Sequence, residues 1–213
     1  MFFDAALHLA ATTRYVGRAQ KNGAAPRSVE LTRQFAVGVQ QIWDAITQPA
    51  RLGVWYGAVA GDLRAGKRFA IAQSASGAIL HCRAPFNVAF SWEYGASISW
   101  VNMTLTQIAP AAAALQLVHS VPLDGEIAGL DANSLGPAGL GIGWEWSLME
   151  LARHLARPDA LRFDEQAFAA LSQGRAFIAG SAAGWAAAAI ADGDAPALAK
   201  AAAARAQAFF CGE

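Results

Sequence analysis

The sequence predicts an α+β fold in which a curved antiparallel sheet wraps on one long helix, with helical segments at both ends of the chain. Between residues 68 and 121, short apolar runs follow one another, separated by only a few residues rich in Gly, Pro and Ser. Parallel crossovers need about a dozen residues or more, so these runs read as a meander of antiparallel neighbours. After the meander, Leu140, Trp144, Leu148, Leu151 and Leu155 recur at helical spacing and mark the one long helix able to cover the sheet. The composition, 55% hydrophobic and 15% charged over 213 residues, provides a buried core and excludes a disordered chain.

The elements follow in order. Phe3, Leu7, Ala10, Ala11 and Arg14 fall on one helical face, so residues 2–19 read as a helix, ended by KNGAAP. Val29, Leu31, Arg33, Phe35 and Val37 then alternate with more polar residues, the period of two of a half-buried strand. VQQIWDAIT at 39–47 is helical in period; Pro49 stops it and opens a second short helix through Trp55. Strands are expected around 68–73, 78–84, 86–94, 98–108 and 113–121. A polar stretch, LDGEIAGLDANSLGP, leads into the long helix, 137–156, which Pro158 terminates. Asp164 opens a short helix to Leu171. Two Ala-rich segments, 176–191 and 196–210, flank the turn ADGDAP and form a helical hairpin docked through Phe177, Trp185, Ile190, Phe209 and Phe210. The expected organisation is an N-terminal helix and linker (1–28), a central domain (29–158) and an Ala-rich helical extension (159–213). The hairpin caps either its own domain, which is the expectation, or a second subunit of a homodimer.

Charge and motif content narrow the function. Sixteen basic residues against 16 acidic ones leave no positive field to gather phosphates, which argues against nucleic acid. Two cysteines, Cys82 and Cys211, without a CxxC or Cys/His cluster suit a reducing cytoplasm and offer no metal site. The longest uncharged stretch near the C-terminus, between Arg175 and Asp192, falls short of the ~20 apolar residues of a membrane span, so no insertion is expected. No catalytic constellation, phosphate-binding glycine loop or cofactor motif is present, so no cofactor is expected.

The segment LTRQFAV at 31–37 followed by WDAITQPARLGVWY at 43–56 resembles the opening of Aha-type domains, relatives of the activator of the heat-shock protein 90 ATPase within the START-like, or SRPBCC, superfamily. The likeness continues through GDLRAGKRFAI at 61–71, SGAILHCRAP at 76–85, FSWEYGASISWVNMTL at 90–105, LQLVHS at 115–120 and GPAGLGIGWEWSL at 136–148. The last block is also similar to bacterial SRPBCC proteins bearing an Ala-rich C-terminal extension. The resemblance implies a helix-grip fold with a cavity between sheet and long helix that holds apolar or aromatic molecules. It also implies two further readings, a co-chaperone-like interaction module with a chaperone as partner and a cyclase- or hydrolase-like enzyme.

Period two places Phe86, Val88, Phe90, Trp92 and Tyr94 on one strand face, the inward one. Spacing leaves open whether these aromatics fill a core or wall a pocket. His119, on a face with Leu115, Leu117 and Val121, is the best polar group for an apolar cavity and the residue an enzyme would use; a structural histidine is the alternative. His81 shares a mixed face and ranks lower. The expected ligand wall for a small hydrophobic molecule is Trp55, Phe69, Phe90, Trp92, Trp100, His119, Leu140 and Trp144. Glu93 and Glu145 could act as acids or bases if buried, but period two sets Glu93 opposite the aromatic face, and Glu145 is expected at the rim or toward the tail. Gly136, Gly139, Gly141 and Gly143 each cost the long helix ~1 kcal/mol relative to alanine. Close approach of helix to sheet would compensate; a lid at the cavity mouth, extended by residues 130–135, is the alternative.

Overall fold

In the computed structural model, residues 3–18, 27–72, 74–122, 126–127 and 130–213 are described. The chain divides into two compact units that interleave along the sequence. One takes residues up to Leu31, Pro122–Trp146 and Phe163–Glu213; the other takes Thr32–Val121 and Ser147–Arg162. The eight-stranded antiparallel sheet has the order β1 (Thr12–Arg18), β2 (Arg27–Phe35), β8 (Ala112–Val121), β7 (Ser97–Ala109), β6 (Asn87–Tyr94), β5 (Ser76–Arg83), β4 (Arg68–Ile71), β3 (Val59–Gly61), and β2 is the strand in which the division falls.

In the unit built on Thr32–Val121, the meander is as expected: β4 (Arg68–Ile71), β5 (Ser76–Arg83), β6 (Asn87–Tyr94), β7 (Ser97–Ala109) and β8 (Ala112–Val121), each antiparallel to the next. A three-residue strand, β3 (Val59–Gly61), adds an edge that is too short to leave a period in the sequence. The first strand, β2 (Arg27–Phe35), buries Val29, Leu31, Arg33 and Phe35 in strict alternation, and the Arg33 guanidinium stands 5.7 Å above the Phe35 ring. Two short helices follow, α2 (Val39–Thr47) and α3 (Pro49–Trp55), with Pro49 in the first turn of α3 where its missing N–H costs nothing. Phe86, just before β6, and Tyr94, its last residue, depart from the expected inward face and are exposed.

The other unit corrects the N-terminal expectation. The helix, α1, covers only Ala5–Ala10, and Thr12–Arg18 is a strand, β1. Thr12 and Val16 are buried while Thr13 and Tyr15 are exposed, a period-two pattern that the helical match of Leu7, Ala11 and Arg14 concealed. KNGAAP lies outside the described residues. The polar stretch includes a small hairpin, β9 (Glu126–Ile127) against β10 (Leu130–Asp131), and the side chains of residues 130–133, the outer part of the expected gate, lie outside the described residues.

The long helix, α4 (Ala132–Ala156), is broken at Gly136, whose φ of 57° and ψ of −161° belong to a region almost exclusive to glycine. Continuous helix therefore starts at Pro137, as expected. Arg205 Nε donates to Ser134 O at 2.7 Å beside that break. The extension supplies α5 (Glu165–Ala170), capped by the Asp164 carboxylate on Ala167 N, and the hairpin α6 (Ser172–Ala191) and α7 (Pro196–Cys211). Phe177 and Trp185 are buried as expected, but Phe209 is exposed. Ala182, Ala186, Ala189, Ala199, Ala202, Ala203 and Ala206 are buried along the two helices, where small side chains allow close approach.

Glycine carries the same logic further. An added Cβ at Gly180 would strike the Leu9 side chain, and one at Gly184 would fall 2.9 Å from Arg14 Nε, so the spacing of four along α6 is what seats α1 and β1. An added Cβ at Gly141 would fall inside the indole of Trp185. The glycine of α4 thus compensates through α6 and not, as expected, through the sheet. Glu145, one turn further on, is buried and forms an ion pair with Arg14, which also donates to Thr12 O at 3.1 Å and Leu9 O at 3.2 Å.

Candidate functional site

The register of the meander places one aromatic face in the unit built on Thr32–Val121. Phe69 on β4 lies opposite Gly77, Ile79 opposite Phe90, Phe90 opposite Val101, Trp92 opposite Ser99, and Val101 opposite His119. Directly opposed residues share a face, so Phe69, Phe90, Trp92, Ser99 and His119 stand together. Their rings touch in sequence: Phe69 meets Phe90 edge-on at 5.5 Å, Phe90 meets Trp92 at 6.4 Å, and Trp92 meets His119 at 6.2 Å. Gly77 makes the first contact feasible, since a Cβ there would come within 2.9 Å of the Phe69 ring and would collide with Ser91 O. Phe69, Phe90 and His119 are buried, whereas Trp92 is half-buried.

His119 is the polar end of this ladder. It is 1% exposed, and its Nε2 lies 2.8 Å from Ser99 Oγ, which in turn donates to Trp92 O at 3.1 Å. Burial pushes its pKa down to about 3, so the imidazole is neutral at physiological pH. At the C-terminal end of α4 in the same unit, His154 Nε2 accepts from Arg51 Nη2 at 3.3 Å, and burial, then the adjacent guanidinium, lowers its pKa as well. Both histidines gain protons in the unfolded chain before the folded one. Their contribution to stability is therefore intact above pH 6.5 and is lost as pH falls, for His119 over the window from 6.5 to about 3. Chemical denaturation as a function of pH is expected to show a loss on acidification that is shallower in a His119→Phe variant; identical slopes would refute it.

The structure sorts the expected ligand wall. Phe69, Phe90, Trp92 and His119 are brought together. Trp100 is not: it pairs with Ser91 and Ser120 on the opposite face and is 44% exposed beside exposed Ile98. The parity of β7 decides this, because Ser99, and not Trp100, falls opposite Trp92. Trp55 is buried, but its Nε1 donates to Ala45 O at 2.9 Å, so its polar edge is spent in holding α3 to α2. Leu140 and Trp144 belong to the first half of α4, in the other unit, Trp144 buried and Leu140 half-buried.

Ser99 escaped the sequence reading, since a serine beside a tryptophan has no signal until register places it against His119. Glu93 lies opposite the aromatic face as expected; hydrogen bonds from Arg68 and then Ser91 hold its carboxyl below the usual range. His81 is exposed. Among the described residues no cluster of His, Cys, Asp and Glu could hold a metal ion, and no helix is long and apolar enough to cross a membrane.

A curved antiparallel sheet with an aromatic face, followed by a long helix, defines the START-like class of proteins. Residues 36–156 match the family model described as "Activator of Hsp90 ATPase homolog 1-like protein". The chain belongs to that family. Its solved relatives include CalU16 from Micromonospora echinospora. The solution structure of CalU16 is 28% identical over 85% of this chain and 97% of CalU16, with a TM-score of 0.68. The CalU16 crystal structure is 30% identical over 70% of this chain and 88% of that one, with a TM-score of 0.58. MLL2253 from Mesorhizobium loti, 22% identical over 63% of this chain and all of its own, with a TM-score of 0.53, shares the fold alone. No curated protein matches the sequence.

Proposed function

We propose that this protein binds a small hydrophobic or aromatic molecule on the ladder Phe69–Phe90–Trp92–His119. The observation that carries the reading is the half-buried Trp92 ring, set between a buried phenylalanine and a buried neutral histidine. Such a surface offers apolar area and one orienting polar group, and area removed from water contributes ~25 cal/mol per Å². Family membership supports the same reading through the apolar ligands that the resemblance implies. Titration of tryptophan fluorescence with a panel of aromatic and aliphatic compounds tests it. Trp92→Ala is expected to weaken binding about tenfold or more, the loss of one buried aromatic contact, while Trp100→Ala leaves affinity unchanged. Equal effects of the two substitutions would reject the site.

A second reading, a protein-interaction module, is favoured by Trp100 and Ile98, both exposed on the outer face of the sheet. If it holds, Trp100→Ala abolishes capture of a chaperone and any change in its ATPase rate, and Trp92→Ala does not. The catalytic reading of His119 fares worse, since a group with a pKa of about 3 is a weak base at neutral pH.

A further inference from the structure

The outer face of the sheet, opposite the aromatic ladder, sets an exposed indole beside a fixed amide network. Along β7 the outward residues from Trp100 onward are Trp100, Asn102, Thr104 and Thr106, at alternate positions. Trp100 is 44% exposed, and both of its cross-strand neighbours, Ser91 and Ser120, are small. Next to it, Asn87 Nδ2 donates to Asn102 Oδ1 at 2.8 Å, to Met103 O at 3.0 Å and to Thr104 Oγ1 at 3.1 Å. The two hydrogens of that amide are thus shared among three acceptors, which orients it and leaves its Oδ1 to accept. The Asn102 NH2 group, 3.5 Å from Thr104 Oγ1, supplies a donor. A strand rises about 3.4 Å per residue, so Asn102 and Thr104 follow Trp100 within about 7 to 14 Å, the reach of a short oligosaccharide.

Charge decides between occupants. The outward side chains of β8, which are Ala112, Ala114, Gln116, Val118 and Ser120, are uncharged, as are those of β7. Arg68 and Glu93 neutralise one another on this face, and Arg83 and His81 stand to one side on β5. A nucleic acid could stack a base on Trp100, but its phosphates need a row of cations that these strands do not carry. An apolar protein surface would leave the Asn87 and Asn102 amides unmatched. A pyranose suits both halves of the face: its C–H side packs on the electron-rich face of an indole, and its hydroxyls donate and accept as the amides do.

We propose that the outer face around Trp100, Asn102 and Asn87 binds the glycosyl part of a neutral saccharide, with Trp100 as the stacking platform and the two asparagines as its hydrogen-bonding partners. This site lies on the other side of the strands from the Phe69–Phe90–Trp92–His119 ladder and does not rest on the ligand reading of that ladder. Titration of 15N-labelled protein with cellotriose, maltotriose, mannotriose and triacetylchitotriose tests it. The signals followed are the Trp100 and Trp92 indoles and the Asn102 side-chain amide, assigned by their loss in Trp100→Phe, Trp92→Phe and Asn102→Ala. At least one sugar is expected to shift the Trp100 and Asn102 signals saturably and to leave Trp92 in place. For that sugar, Trp100→Ala is expected to weaken binding about tenfold or more, and Trp100→Phe, which keeps a ring, by less. Asn102→Ala is expected to weaken it about threefold to tenfold, the ratio one hydrogen bond supplies, and Ile98→Ala to leave it unchanged. Trigalacturonate and a thymidine oligonucleotide, the anionic controls, are expected to shift neither signal. No saturable shift with any of the sugars overturns the proposal, and so does tighter binding of either anion. A shift of Trp92 alone moves the sugar to the ladder and overturns it. An Ile98→Ala loss as large as that of Asn102→Ala marks an apolar protein-docking face and overturns it as well.

Discussion

Replacing Glu145 by alanine is expected to cost about 3–5 kcal/mol, because it leaves the half-buried Arg14 guanidinium without its counter-charge. Glu145 is 2% exposed and pairs with Arg14, whose Nη1 and Nη2 donate to the carbonyls of Thr12 and Leu9. The guanidinium therefore joins α1, β1 and α4 within one unit, and Gly184 gives it room against α6. For a chain of this size the loss corresponds to a fall in Tm of about 6 to 20 °C. The double variant Arg14→Leu/Glu145→Leu is expected to recover most of it, since an apolar pair of similar volume avoids the desolvation cost of both ions. Thermal melts of the single and double variants decide the matter. A Glu145→Ala protein as stable as the wild type would show that the pair is incidental.

The second large effect is a contrast between neighbouring glycines. Alanine is favoured over glycine in a helix by about 1 kcal/mol, and from the sequence Gly141 and Gly143 are equivalent. Structure separates them. A methyl group at position 141 would overlap the Trp185 indole, which is fully buried and cannot withdraw; at position 143 the nearest atom is a Phe210 ring carbon at 3.8 Å. Gly141→Ala is therefore expected to destabilise by about 1–3 kcal/mol or to prevent folding, the usual cost of overpacking. Gly143→Ala is expected to stabilise by about 0.5–1 kcal/mol. Urea midpoints of the two variants test the pair, and shifts of the same sign would refute the account.

Much of the candidate site was legible as residue types but not as a constellation. Phe90 and Trp92 are two apart on a strand bounded by turns, so their shared face follows from the pleat. His119 shares a face with Leu115 and Leu117 for the same reason. Which face of β7 meets them does not follow, because Ile98 and Trp100 alternate with Ser99 and Val101, and both sets read as plausible cores. One residue of register turns the tryptophan outward and the serine inward. The N-terminal strand was hidden similarly, by a stretch that matches two periods and takes the one for which a pairing edge exists.

By itself, the sequence determined what depends on near neighbours along the chain: the meander, the two short helices ended by Pro49 and Trp55, the start of continuous helix at Pro137, the Asp164 cap and the hairpin around ADGDAP. These are matters of period, capping and turn chemistry, and such preferences act over a few residues. Tertiary structure alone decided the face of Trp100, the partner of Glu145, the meaning of Gly141 and the contact of Ser99 with His119. Each of these depends on which atoms arrive from distant parts of the chain. Parity of strand pairing and interpenetration of side chains are properties of two segments together, so no window of one segment contains them.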